Sequence, residues 1–183
     1  MAHGRGTCVV AITGPVGSGK SHLARLLSPC VLSTDDYLPD YDKVAYEERD
    51  DPRLADHPRL IADLESLRAA RITRVPCWSF QTHSRVGERE ITPPLGGLIV
   101  VEGIHALHDA ILSRIDIGVF VEASPGIRWR RWEHLEATGQ RGWGVEVARE
   151  FFHAVAEPTF SRYEHTYRDR AHLIVTNHDG VPT

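Results

Sequence analysis

Residues 14–21 read GPVGSGKS, which fits the spacing GxxxxGK[ST]. A polyphosphate tail needs several donors aimed at one point. Glycines let successive backbone N–H groups turn inward, and a helix starting where the turn ends adds its positive end. Gly14, Pro15, Val16, Gly17, Ser18 and Gly19 would then form the cradle, with Lys20, Ser21 and His22 opening the helix behind it. In such a loop the lysine reaches the terminal phosphates and the hydroxyl of Ser21 binds Mg²⁺. With 15 Gly, two Lys and 21 Ser plus Thr in the chain, the pattern arises by accident in roughly one shuffled chain in 700. It marks a site for a nucleoside triphosphate, without separating a kinase from a switch or an ATPase.

Two carboxylates follow at comparable places. The segment LSTDDY at 32–37 puts Asp35 after a short apolar run, and VVEG at 100–103 puts Glu102 after another. Near a γ-phosphate, Asp35 could take a proton from an acceptor hydroxyl or support Mg²⁺, and Glu102 is suited to holding magnesium-bound water. An isolated acid in either place is as often a cap or a turn residue. Beside a phosphate loop both become site candidates.

These groups can act together only if the fold brings them to one edge. Residues 7–13 form a near-continuous β-branched run, as in a strand buried on both faces. A helix over 20–27 ends at Ser28-Pro29, and 30–34 is a second strand. Residues 35–58 are polar and turn-rich, with room for one short helix. Leu60, Ile61, Leu64 and Leu67 give 59–70 a helical stripe. Residues 75–80 read as a further strand, and Pro93-Pro94 with Gly96-Gly97 as a break. Apolar strands follow at 98–101, 117–121 and 173–175. Strands alternating with helices predict a mainly parallel five-stranded sheet covered on both faces, and ligands sit beyond the carboxyl ends of such strands. The phosphate loop, Asp35 and Glu102 all fall there.

Composition narrows the classes. A chain of 183 residues suits a single domain, 1–183, without a staple. Hydrophobic residues at 42% and charged residues at 25% are globular values. A net charge of −4 supplies no basic track for nucleic acid and no membrane-surface patch. The basic residues are 19 Arg and two Lys; arginine is the bidentate reader of phosphate. Cys8, Cys30 and Cys77 form no CxxC pair. With no spanning segment and no signal peptide in the first residues, the expected setting is reduced and cytoplasmic.

Together, the phosphate loop, STDDY at 33–37, Asp50-Asp51-Pro52 with Asp56, VPCWSFQTHSR at 75–85 and VEGI at 101–104 resemble the uridine kinase and phosphoribulokinase family of P-loop kinases, and the uridine kinase branch most. The stretch from Ala156 to Val175 resembles that family's last helix and strand. The resemblance implies a three-layer α/β P-loop NTPase fold with a small helical lid near 128–145. It implies an ATP- and Mg²⁺-dependent kinase that phosphorylates a hydroxyl, by default the 5′-hydroxyl of a pyrimidine ribonucleoside. Asp35 would be the catalytic carboxylate, with Lys20, Arg131 and Arg141 as the catalytic cations. Ser21, Asp35 and Glu102 would place the metal. Asp50 would hold ribose hydroxyls, Trp78, Phe80, His83 and Ile104 would surround the base, and Arg131 would also reach the acceptor. Association with a second copy would fit the family.

The chain departs from the family on the acceptor side, with Arg49 before the ribose Asp, Trp78 where a Tyr is usual and Ser79 where an Asp is usual. Another hydroxyl acceptor (a sugar, a vitamin precursor, nicotinamide riboside) therefore stays open, as does a non-catalytic nucleotide-binding regulatory module. An arginine at position 49 would favour an anionic or more polar acceptor unless it points outward.

Overall fold

The computed structural model describes residues 6–94 and 97–178; Gly96 of the expected break lies outside them. Five strands form one parallel sheet: β1 (Cys8–Thr13), β2 (Val31–Ser33), β5 (Leu98–Glu102), β6 (Ile117–Glu122) and β7 (Leu173–Thr176). Their spatial order is β2-β5-β1-β6-β7, and β1 pairs with β5 on one side and β6 on the other. The order reverses at β1, so the loop after β1 opens onto the crevice where such sheets bind ligands.

The strand β1 shows why its residues form an unbroken apolar run. Val9 and Ala11 pack into the larger core beneath α2 (His57–Arg68) and α6 (Glu157–Arg170), with Leu60, Leu64, Phe160 and Tyr167. Val10 and Ile12 face the other way, onto Ala24 of α1 (Lys20–Leu27). Helices therefore cover both faces, giving the three expected layers.

The helix read at 59–70 starts earlier, at His57, because the Asp56 side chain accepts from the Arg59 N–H and Pro58 fits the first turn. The turn-rich stretch holds four 3₁₀ turns, Thr34–Tyr37, Tyr41–Lys43, Tyr46–Glu48 and Pro52–Leu54, where one short helix was expected. The strand read at 75–80 is β3 (Thr73–Ser79), and it stands outside the parallel sheet. It pairs antiparallel with β4 (Ser84–Ile91) in a separate hairpin.

A short helix α3 (Asp109–Leu112) precedes β6, and α4 (Pro125–Ala137) follows it. Residues 138–144 then lead to α5 (Val145–Phe151), which runs through a π-helical turn, Phe152–Ala156, into α6. Tyr41, Trp132, Ala148, Phe151, Phe152 and Val155 form a second apolar cluster there. This aromatic cluster builds the wall facing the phosphate loop. No helix among the described residues is long and apolar enough to cross a membrane.

Candidate functional site

The loop between β1 and α1 depends on glycine at Gly17, where φ is +74° and a Cβ would lie 2.5 Å from the Arg128 carbonyl oxygen. The loop is closed on itself: Lys20 Nζ donates to the Pro15 carbonyl at 2.9 Å, and the Ser18 N–H to the same oxygen at 3.2 Å. Burial lowers the Lys20 ammonium to about 8, against the pull of the neighbouring Glu102 and Asp35 carboxylates. A phosphate arriving there meets a desolvated cation with few competing partners. His22, next to Ser21 in the first turn of α1, is exposed and does not line the cleft.

A cleft of about 490 Å³ runs along the loop, lined among others by Gly19, Lys20, Ser21, Asp35, Glu102, Arg131 and Arg141. Ser21 Oγ donates to Glu102 Oε2 at 3.0 Å, joining the loop to the end of β5. Ser21, Asp35 and Glu102 offer hard oxygen donors of the type Mg²⁺ prefers. Among the described residues no three His, Cys, Asp or Glu side chains converge as a closed cage. Such a sparse donor set fits Mg²⁺, which keeps waters and shares phosphate oxygens.

The 3₁₀ turn Thr34–Tyr37 separates the two adjacent acids. Asp36 turns into the hairpin, accepting from the Trp78 N–H at 2.8 Å and from Arg89 Nη2 at 3.0 Å. Asp35 turns the other way and borders both the phosphate cleft and a second, enclosed pocket. Burial, followed by the neighbouring Glu102 carboxylate, raises the Asp35 carboxyl to about 7, while Lys20 opposes the rise.

The enclosed pocket is lined by Val16, Asp35, Leu38, Tyr41, Asp50, Phe80, His83, Ile104, Trp132, Arg141, Trp143 and Phe151. Asp50, Phe80, His83 and Ile104 thus meet on one side of Asp35. Tyr41 Oη donates to Asp50 Oδ1 at 2.7 Å, and His105 Nε2 lies 2.8 Å from the Asp50 carbonyl oxygen. His83 adopts φ +51°, and its carbonyl is held by the Tyr41 N–H at 3.0 Å. That backbone, uncommon outside glycine, sends the imidazole inward. Burial, with Arg141 and Arg49 nearby, lowers its pKa to about 4, so the ring is neutral at physiological pH. The Arg141 guanidinium lies 4.2 Å from the Phe80 ring centroid and 5.0 Å from that of Trp132.

Three further residues stand off the wall of this pocket. Trp78 does not line the pocket. Its ring packs edge-on against Tyr41 at 5.1 Å. Arg131 lines the phosphate cleft and not the enclosed pocket. Its Nη1 donates to the Gly17 carbonyl at 3.0 Å and its Nη2 to Asn177 Oδ1 at 3.1 Å. Those bonds tie α4 to the loop. Arg49 stands beside the pocket without lining it, over the rings of Tyr41 and Tyr46 at 5.4 and 5.1 Å.

Tyr41, Trp132, Trp143 and Phe151 are additional pocket residues whose positions come from packing between distant segments. Buried Glu136 was also not anticipated. It accepts from the N–H groups of Trp143 and Gly144 at 3.2 and 3.0 Å and from Trp132 Nε1 at 3.0 Å. No motif signals it. The same stretch is strapped to the hairpin turn, since the Gly142 N–H donates to the Phe80 carbonyl at 3.0 Å. A Cβ on Gly142 would lie 2.1 Å from the Gln81 carbonyl oxygen. Gly142→Ala is therefore expected to lower stability by about 1–3 kcal/mol, the usual cost of overpacking. Urea unfolding checks this, and a variant as stable as the parent would contradict the close approach.

The sequence pattern of the phosphoribulokinase/uridine kinase family matches residues 40–182, well over half of the chain. The chain is 29% identical over 168 residues to an inorganic pyrophosphatase, TTM2, of Arabidopsis thaliana, covering 87% of this chain and 24% of that protein. It therefore spans about a quarter of that relative's length. A uridine kinase of Macrococcus caseolyticus is 26% identical, with 92% of this chain and 87% of that one covered. Among solved structures, a possible uridine kinase from Bacillus stearothermophilus superposes with a TM-score of 0.66 at 18% identity, covering 93% of this chain and 89% of that one. The structural likeness carries the P-loop kinase fold, and the family pattern carries the lineage: the chain belongs to the phosphoribulokinase/uridine kinase family.

Proposed function

We propose that this chain is a kinase that transfers the γ-phosphoryl group of ATP to the primary hydroxyl of a small molecule, by default the 5′-hydroxyl of a pyrimidine ribonucleoside. The observation that carries this reading is that one carboxylate, Asp35, borders both the phosphate cleft and the enclosed pocket. A switch or a slow ATPase has no need of the second space. A nucleoside is favoured by Asp50, Phe80, His83 and Ile104 lining that pocket and by relatives bearing the name uridine kinase. A neutral imidazole can donate to or accept from a base edge, and a carboxylate can accept from sugar hydroxyls.

In this mechanism the acceptor O–H gives its proton to Asp35. The acceptor oxygen bonds to the γ-phosphorus as the bond to the β–γ bridging oxygen breaks, and ADP leaves. Lys20 holds the terminal phosphates, while Arg131 and Arg141 balance the charge on the transferred group. Ser21 and Glu102, with Asp35 beside them, would hold Mg²⁺, which neutralises phosphate charge. Residues 128–145 would serve as the lid that excludes water. Small-molecule chemistry of this kind suits a reduced, cytoplasmic setting, in which the three free cysteines stay as thiols.

The base must be ionised to work. With the Asp35 carboxyl raised to about 7, the protonated, inactive form dominates below that value. The free enzyme's kcat/KM for the acceptor is expected to fall about tenfold per pH unit on the acid side. A profile flat from pH 5 to 8 would remove Asp35 from the role. The acceptor is tested by thermal shift with a non-hydrolysable ATP analogue and a nucleoside panel. Binding at a hundredfold excess over Kd adds about 2.7 kcal/mol. Stabilisation by sugars or vitamin precursors, with none by nucleosides, would reassign the acceptor.

A further inference from the structure

The acceptor pocket opens into the phosphate cleft, with which it shares Val16, Asp35, Phe80, Ile104 and Arg141. The indole of Trp143 lies flat on His83, with centroids 3.9 Å apart and planes 7° from parallel. A third ring slid between them would need roughly twice that spacing. Any planar acceptor ring that uses this face of His83 must therefore take the place of the indole.

The indole also packs on Phe151 at 4.6 Å and on Tyr41 at 6.0 Å between ring centroids, contacts that its displacement would break. Tyr41, Trp132 and Phe151 are buried in the second cluster, whereas Trp143 is half-buried on the connection between α4 and α5. Two N–H bonds to Glu136 and the Gly142 strap hold that connection, and none of them is made by the indole.

We propose that Trp143 determines acceptor specificity by occupying the slot on His83 that a planar acceptor ring must win. This rests on the assignment of the enclosed pocket to the acceptor. An acceptor with an aromatic base replaces one stack by another and gains the whole slot. An acceptor without a ring leaves the indole in place and takes the rest of the pocket. Trp143 thus sets a threshold that compact alcohols and base-bearing ones meet differently.

The test compares uridine with D-ribose as acceptors for the parent and Trp143→Ala, following ADP release and ligand-induced change in tryptophan emission. Removing the competing ring should lower the KM for uridine about three- to tenfold, with no matching gain for ribose. A merely structural tryptophan would worsen both. An unchanged or raised KM for uridine would overturn the proposal, as would uridine that neither reacts with nor binds to either protein. If only the variant accepts uridine, Trp143 still guards the slot, while the nucleoside reading of the parent fails. Stabilisation by the ATP analogue shows that the variant is folded. If that is lost, Trp143→Phe replaces it, with a smaller fall in KM expected.

Discussion

Asp35→Asn is expected to lower kcat by about 10²- to 10⁴-fold, the span of a general base, while binding of an ATP analogue persists. The asymmetry follows from where the carboxylate stands. Its neighbours on the phosphate side, Lys20 and Glu102, keep their own partners in Pro15 and Ser21, so the amide leaves the cradle in place. What is lost is a carboxylate that burial holds near neutrality, where it can both accept a proton and release it. The acid limb of the pH profile should vanish with it. Single-turnover kinetics beside equilibrium binding separate the two effects, and near-normal turnover in the variant would end the assignment. The neighbouring Asp36→Asn is the control. Asp36 is bonded to Trp78 and Arg89 in the hairpin, so its change should be read in stability and not in the proton-transfer step.

Lys20→Ala is expected to lose about 10²–10³ in rate, as for removal of one preorganised donor to the transition state, and to weaken ATP binding as well. The contrast with Asp35 is the point. Lys20 is buried and its ammonium is depressed to about 8, so it is already stripped of water when phosphate arrives. That desolvation makes its attraction for a phosphate oxygen stronger than a surface lysine's. Removal therefore acts on ground state and transition state together. Isothermal titration with the analogue, beside steady-state kcat, distinguishes this from a pure rate effect. Unchanged affinity and rate would count against the loop as the triphosphate site.

The parts legible in the sequence were those set by local chemistry. Glycine spacing dictates the loop, and the β-branched run of β1 follows from its two buried faces, Val9 and Ala11 on one side and Val10 and Ile12 on the other. The strand β4 was not legible, because Arg85 to Glu90 are all exposed and show no apolar alternation. Both Asp35 and Asp36 follow the same strand, and only the 3₁₀ turn decides which of them faces the pocket. The pocket wall was hardest to read. Tyr41 lies far in sequence from Trp143 and Phe151, and the three are gathered by the aromatic cluster beside the π-helical turn. Trp78 packs edge-on against Tyr41, a contact between segments that no local pattern in the chain signals. Glu136 sits in the last turn of α4, where nothing distinguishes a buried acceptor of three N–H bonds from a solvated acid.

In the proposed reaction a phosphoryl group passes beside Asp35 to an alcohol, and its fate is followed with the label from γ-³²P-ATP and Mg²⁺, with and without uridine and the other hydroxyl acceptors. Label is expected in an acid-stable phosphomonoester, one for each ADP formed, with turnover dependent on acceptor. Label released as inorganic phosphate at a rate indifferent to every acceptor would contradict it.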